Sequence, residues 1–377
     1  MNHPHLVALV RKIIARLDDP PVRGDGPVGH VAAATYASEE RFLAERAHLF
    51  ADMPVIVAHE SELAHAGACL GVEIAGVSVL VVRGADGALR AFKNACRHRS
   101  TRLVADEAPC TKKAFVCPYH GWTYDLAGRL VHVPHAASFS GEDRSRSELA
   151  AVHAETRHGF VYASLAPFDA AAHLGAIDDE LGSLGVPDLA IYRRTTREVR
   201  GNWKLIIDAF LDGYHIRHLH RDSVYPFFLD ARSEVEQAGD HFRAVSARKA
   251  ILEARSADLE TAPLRDLVTP SYVVFPNAVF VLHPDSFSVM TSMPLAADRT
   301  RFVHTLLVPA GERSPAAEAH YAKTFALIDE GVFAREDLAT VEAMQRGIAT
   351  GANETLLFGE LEHAALSFHA SVAAHVG

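Results

Sequence analysis

Two short segments constrain this chain more than anything else in it: Cys96-Arg97-His98 and Cys117-Pro118-Tyr119-His120. Each carries one thiol and one imidazole a residue or two apart. The ligand pairs are therefore already local, and closing two such loops onto a metal costs little chain entropy. Structural zinc, the rival occupant, usually takes paired cysteines followed by paired histidines. Here each loop gives one of each. That mixture fits a [2Fe–2S] centre in which two Cys hold one iron and two His hold the other. Cys69 and Cys110 fall outside the pattern and read as ordinary thiols.

A length of 377 residues implies two or three domains. With 49% hydrophobic and 22% charged residues, the chain is not mainly disordered. Its net charge of −10 argues against a nucleic-acid partner, which needs a basic face. Four cysteines cannot build a disulfide scaffold and suit a reducing compartment. Near the start, Leu6, Val7, Leu9, Val10, Ile13 and Ile14 form a helical stripe interrupted by Arg11, Lys12 and Arg16. It stops at Asp18-Asp19-Pro20-Pro21, which is a helix end and not an export signal. No apolar run approaches the ~18 residues of a membrane span. A cytoplasmic protein with no membrane partner is expected.

Texture divides the chain. From about Ala51 to Leu165 it reads as short strands and turns, with Val77, Val79 and Val81 alternating before a turn at Ala85-Asp86-Gly87. A second hairpin is expected around Trp122-Thr123-Tyr124-Asp125 and Ala127-Gly128. Beyond Pro167 the pattern is mixed. Helices are expected over 169–184, 203–218, 316–328 and 335–348, and strands within 191–199, 272–282 and 302–308. The expected fold class is α+β: an all-β domain plus a sheet flanked by long helices. The domains are 1–44 (a helix and arm), 45–166 and 167–377.

Cys96-Arg97-His98-Arg99 and Cys117-Pro118-Tyr119-His120-Gly121-Trp122-Thr123-Tyr124-Asp125 resemble the two cluster loops of Rieske non-haem iron oxygenases, the α subunits of aromatic-ring-hydroxylating oxygenases. Ser100 departs from the glycine often found there, which bears on local loop geometry alone. The resemblance covers most of the chain. It implies that 45–166 is the Rieske domain and that 167–377 is a helix-grip, START-like catalytic domain with an antiparallel sheet. The N-terminal arm would pack on the latter.

Asp212, His215 and His220 follow Asn202-Trp203-Lys204-Leu205, and the spacing D-x2-H-x4-H resembles the family's mononuclear-iron segment. Taken alone the spacing is weak. Five residues on an ideal helix rotate by about 500°, so His215 and His220 converge only if the helix ends between them. His218 sits better on the His215 face and is the rival ligand; the resemblance decides for His220. A reactive Fe(II) site pairs two His with one carboxylate. The resemblance carries Asp337 over as the third ligand, with Glu336 and Glu342 as alternatives. It gives Asp212 the role of electron-transfer bridge between the iron-site His and a Rieske His. Trp203 reads as core and Trp122 as packing beside the cluster loops.

The activity so implied is that of a terminal oxygenase using O2 and NAD(P)H-derived electrons. No Gly-rich nucleotide fingerprint follows a strand here, so those electrons would come through a separate reductase, with or without a ferredoxin. The substrate is expected to be an aromatic or other cyclic apolar small molecule. The alternative is N- or O-demethylation, quaternary ammonium substrates included. Phe210, Phe227, Phe228, Phe275, Phe280, Phe287 and Met290 are candidate pocket residues, each of which also reads as core. Head-to-tail association into a homotrimer, or a trimer with an additional small subunit, would bring the Rieske loops of one chain to the iron of the next.

Overall fold

The computed structural model describes residues 3–22, 24, 26–105, 109–141 and 143–377. Two compact units are present, residues 50–173 and residues 1–49 joined with 174–377.

Residues 50–173 are built from strands. A seven-stranded sheet runs, in spatial order, Val55–His59, Phe160–Ser164, Ala151–Arg157, Leu89–Lys93, Val77–Arg83, Ala68–Ile74 and Cys110–Thr111. The Val77–Arg83 and Leu89–Lys93 strands meet at the expected turn, where Gly84 N–H donates to the Ala88 carbonyl. Phe115–Val116, Thr123–Tyr124 and Leu130–His132 form a separate three-stranded sheet. Leu80, Val82, Phe92, Phe115, Trp122 and Tyr124 make a buried core that also takes in Cys96 and Cys117. Both cysteine-bearing loops thus hang from packed apolar side chains.

The other unit is α+β and of helix-grip type. Its antiparallel sheet runs Leu189–Val199, Arg299–Pro309, Phe287–Ala296, Ala278–Leu282, Val268–Val274, His241–Arg248 and Phe228–Ala238. Helix Trp203–Leu211 packs on it, capped at its start by the Asn202 side chain, which accepts from Lys204 N–H. Its first residues dock on Glu45, whose carboxylate takes the Trp203 indole N–H at 2.8 Å and the Lys204 ammonium at 2.7 Å. All three side chains are buried.

Two helix expectations need correction. The helix expected over 203–218 ends at Leu211, where Asp212 adopts an extended φ of −114°. The two tail helices are one continuous helical run from Pro315 to Ala349. Its centre, Ala326–Asp337, is wound more loosely as a π-type stretch, which lets the chain cross the region that sequence periodicity read as a break. The helix expected over 169–184 is present as a helical run over 170–182 whose middle, Gly175–Ile177, tightens to 3-10 winding.

Candidate metal centres and cavity

The two cysteine-bearing loops share one backbone design. Cys96 N–H donates to the Thr101 carbonyl and Ser100 N–H to the Cys96 carbonyl; Cys117 N–H donates to Trp122 and Gly121 N–H to Cys117. Ser100 and Gly121 occupy equivalent places, with φ of 59° and 71°. The left-handed conformation that glycine adopts freely is thus reached by serine in the first loop. Cys96 and Cys117 are buried, while His98 and His120 lie outward with their Nδ1 atoms 3.1 Å apart. Trp122 stacks on His98 at 4.9 Å. Tyr124 Oη lies 3.3 Å from Cys96 Sγ. Burial pushes the Cys117 thiol up, but the backbone N–H groups of Tyr119 and His120 outweigh it and favour thiolate. Two sulfurs inside and two ring nitrogens outside suit a cluster whose irons differ in ligation.

Cys69 and Cys110 lie apart from this set. They face each other across adjacent strands with Sγ atoms 2.9 Å apart, and burial pushes the Cys69 thiol up to about 12.

In the other unit, His215, His220 and Asp337 bring one ligand atom each to within 4.8 Å of one another. The helix end at Leu211 makes this possible. A new one-turn helix, Ile216–Leu219, has His215 at its start and His220 at its end, so the two rings turn toward each other. Their Nε2 atoms are 3.1 Å apart. Asp337 Oδ1 stands 3.1 Å from His220 Nε2 and 3.8 Å from His215 Nε2.

Both Nδ1 atoms are already engaged. His215 Nδ1 meets Asp212 Oδ2 at 3.2 Å, and His220 Nδ1 meets Glu336 Oε2 at 2.8 Å. A carboxylate can only accept, so each ring donates from Nδ1 and, when neutral, turns a lone pair outward at Nε2. Asp337 Oδ1 is buried with no hydrogen-bond partner. Three electron-rich atoms thus converge on one point, an arrangement a cation relieves. Donors about 2.1 Å from an ion and at right angles would stand about 3 Å apart, near the spacing here. Burial works against a charged His220, but Asp337 and then Glu336 outweigh it and raise its pKa, so the pocket attracts positive charge.

The rival candidates lie elsewhere. His218 is exposed. Glu342 accepts from the Arg200 backbone N–H. Glu336 sits behind His220, held also by the Ser223 hydroxyl at 2.6 Å. Asp212 reaches His215 through a turn rather than along a helix, since its other oxygen accepts from Tyr214 N–H.

The triad opens into a cavity of about 460 Å³. Phe210, Phe227 and Phe228 line it, as do Phe333, Arg248 and His283, which sequence reasoning missed. Phe275, Phe280, Phe287 and Met290 do not. Val281 and Ser271, paired in the sheet, face the cavity, so Phe280 and its neighbour Phe287 point to the opposite face and pack on each other at 5.3 Å. Phe275 packs on Phe368. Met290 is fully buried in its strand. Alternation along known strands would have separated these residues; composition did not.

Residues 53–152 match the Rieske [2Fe-2S] domain, and residues 186–377 match the ring hydroxylating alpha subunit (catalytic domain). The carnitine monooxygenase oxygenase subunit of Escherichia coli (strain K12) is 34% identical over 199 residues, 50% of this chain and 52% of that protein. The match therefore spans about half the length of that relative. The corresponding subunit of Acinetobacter pittii is 26% identical over 330 residues, 83% of each chain. A crystal structure of a quaternary ammonium Rieske monooxygenase with L-carnitine shares the fold, with a TM-score of 0.80 at 22% identity, covering 95% of this chain and 98% of that one. With its catalytic half and the domain before it both matched, the chain belongs to the ring-hydroxylating α-subunit family and carries a Rieske [2Fe–2S] domain.

Proposed function

We propose that this chain is the terminal oxygenase of a multicomponent system, using O2 and electrons from an NAD(P)H-dependent reductase to hydroxylate a small organic molecule in the 460 Å³ cavity. The observation that carries the reading is the convergence of His215 Nε2, His220 Nε2 and the unpartnered Asp337 Oδ1 at the cavity wall. In this reading those residues hold iron, and Cys96, His98, Cys117 and His120 hold the cluster. When bound, the iron supplies oxygen activation and the cluster supplies electrons.

The chain's own residues do the positioning. Asp212 and Glu336 hold the Nδ1 protons and so fix both rings. Phe210, Phe227, Phe228 and Phe333 give the substrate an apolar bed and keep water scarce. We assign Asp212 as the electron-transfer bridge, reaching His120 of the partner subunit in a head-to-tail homotrimer, with or without a further small subunit. A cytoplasmic location belongs to the same reading. Among the described residues, no helix is long and apolar enough to cross a membrane.

An aromatic or other cyclic apolar substrate suits the phenyl lining. Demethylation of an N-methyl or O-methyl group is the second reading, favoured by the carnitine monooxygenase relatives. It is the same hydroxylation, placed on a methyl carbon that then leaves as formaldehyde.

The test is purified enzyme with a reductase, 18O2 and a substrate panel, following oxygen uptake and product mass together. One or two labelled oxygens in a hydroxylated product, or formaldehyde formed in step with the oxygen taken up, supports the reading, with about three iron atoms per chain from one cluster and one mononuclear site. A colourless zinc protein prepared with iron available, or one without oxygen uptake on any substrate, overturns it. Asp212→Ala is expected to keep the cluster yet slow its reoxidation in a single turnover.

A further inference from the structure

The cavity has a polar wall opposite its phenyl rings. Strand His241–Arg248 turns Ala244, Ser246 and Arg248 inward by alternation, and the neighbouring strand turns Thr269 and Ser271 the same way. Arg248 is the cation on this wall. Its guanidinium lies 6.0 Å and 5.7 Å from the ring centroids of Phe227 and Phe228. Its hydrogen bond is a long one, 3.5 Å to Thr269 Oγ1. No carboxylate among the described residues forms an ion pair with it. Elsewhere in the unit, Arg197 is matched by Asp329, and Arg243 by Glu180 and Glu236, whereas Arg265, outside the cavity lining, donates to the Ser286 carbonyl. Burial depresses the Arg248 pKa, with Asp266 pulling the other way.

Nearby groups do not satisfy it. His283, on the same wall, has its Nε2 hydrogen-bonded with Ser288 Oγ at 2.9 Å. Burial, then His304 and Arg265, hold its pKa near 3, so it is neutral. Asp285 at the rim is taken by His320 at 2.6 Å. A half-buried guanidinium that lines the cavity with most of its five N–H donors uncommitted is free to bind an anion there.

We propose that Arg248 is the anion anchor of this cavity and that the substrate carries a carboxylate, an inference that rests on the oxygenase reading of the same site. The planar fork matches a carboxylate in two parallel hydrogen bonds, and the two phenyl faces hold the fork in place. A lone arginine matches one negative charge. The substrate's apolar body then extends along the phenyl rings toward the triad, and the anchor decides which carbon is presented there.

The test is anaerobic calorimetry on iron-loaded enzyme with two matched pairs: 4-methoxybenzoate and 4-methoxybenzamide, L-carnitine and its carboxamide. In the wild type, at least one carboxylate is expected to bind about tenfold or more tightly than its amide, the size of a charged hydrogen bond. Arg248→Gln should bring that ratio near one without weakening the amide, and Arg248→Lys should keep part of it. Arg248→Met serves if the Gln variant does not fold. Equal binding of acid and amide in the wild type, no binding of either acid, or an unchanged ratio in the neutral variants overturns the proposal. The two readings fail separately. Product formed from the amides at wild-type efficiency removes the anchor and leaves the oxygenase. Carboxylate-selective binding without oxygen-derived product does the reverse.

Discussion

Glu336 Oε2 stands 2.8 Å from His220 Nδ1, while the next residue, Asp337, stands 3.1 Å from Nε2 of the same ring. Two consecutive carboxylates therefore act on opposite sides of one imidazole. Glu336→Ala removes the group that fixes the tautomer and tilt of the ring. Mononuclear iron affinity is expected to fall about 10- to 100-fold, as for other carboxylates behind metal-bound histidines. Iron titration against a chelator measures this, and the visible spectrum of the cluster should be unaltered.

His215→Ala, His220→Ala and Asp337→Ala are each expected to abolish mononuclear iron and product formation while keeping the cluster, whose ligands lie in the other unit. His218→Ala is the control, because its side chain is exposed and outside the converging set. Metal analysis of the four proteins decides. Loss of iron in His218→Ala with retention in His220→Ala would reverse the assignment.

Only half of the cysteines should matter to colour. Cys96→Ser and Cys117→Ser are expected to give colourless protein. Cys69→Ser and Cys110→Ser are expected to stay brown, since their thiols face each other between strands and not the histidines. Absorption and the EPR signal of the reduced state distinguish the two outcomes.

The buried pair Glu45 and Lys204 gives a stability prediction. Glu45→Ala leaves a buried ammonium without its partner and a Trp203 N–H without its acceptor. A loss of about 3–5 kcal/mol is expected, readable in urea unfolding. Glu45→Met combined with Lys204→Met should recover much of it, because two apolar side chains of similar length replace the charges. A single Glu45→Ala variant as stable as the wild type would show the pair to be idle.

His283 predicts a pH effect with a definite sign. Its folded pKa of about 3 lies below the ordinary 6.5, through burial and then His304, Arg265 and Arg248, against an opposing Asp285. As pH falls from 6.5 toward 3, the unfolded chain takes up this proton first, so stability is lost on acidification within that window. His283→Gln should flatten the decline there and change little above pH 7. Parallel unfolding midpoints measured across the window test this.

Much of the site was legible in the sequence, because ligands at short spacing announce themselves. Cys96, His98, Cys117 and His120 need only local loops. His215 and His220 were harder. On a continuous helix they diverge, and the helix end at Leu211 that lets them meet follows from Asp212-Gly213, a turn-forming pair. Glu336 stands as a rival ligand in the sequence, since nothing in an acidic pair says which member faces a metal and which faces its ligand. The cavity was least legible. Seven apolar residues were equally plausible from composition, and only strand register separates Phe228 from Phe280. Arg248 gives no signal in sequence, because what distinguishes it is a carboxylate that is not beside it.

The contact between Glu45 and Trp203 also bears on the order in which this chain assembles. These side chains meet across 158 positions of sequence, a separation that would make their encounter slow in an unstructured polymer. Most of the intervening chain, residues 50–173, is a compact unit of its own. Once that insert has collapsed, the floppy tether shrinks to a few dozen residues, and the entropy of closing it drops accordingly. During synthesis residues 1–49 emerge before their partners, which are encoded after residue 173. Until then their buried faces, Leu6, Val10, Phe42 and Leu49 among them, stand bare to the ribosome exit and to chaperones. The insert thus shortens a loop: once residues 50–173 are compact, the two stretches of the flanking unit have less chain entropy to lose when they meet.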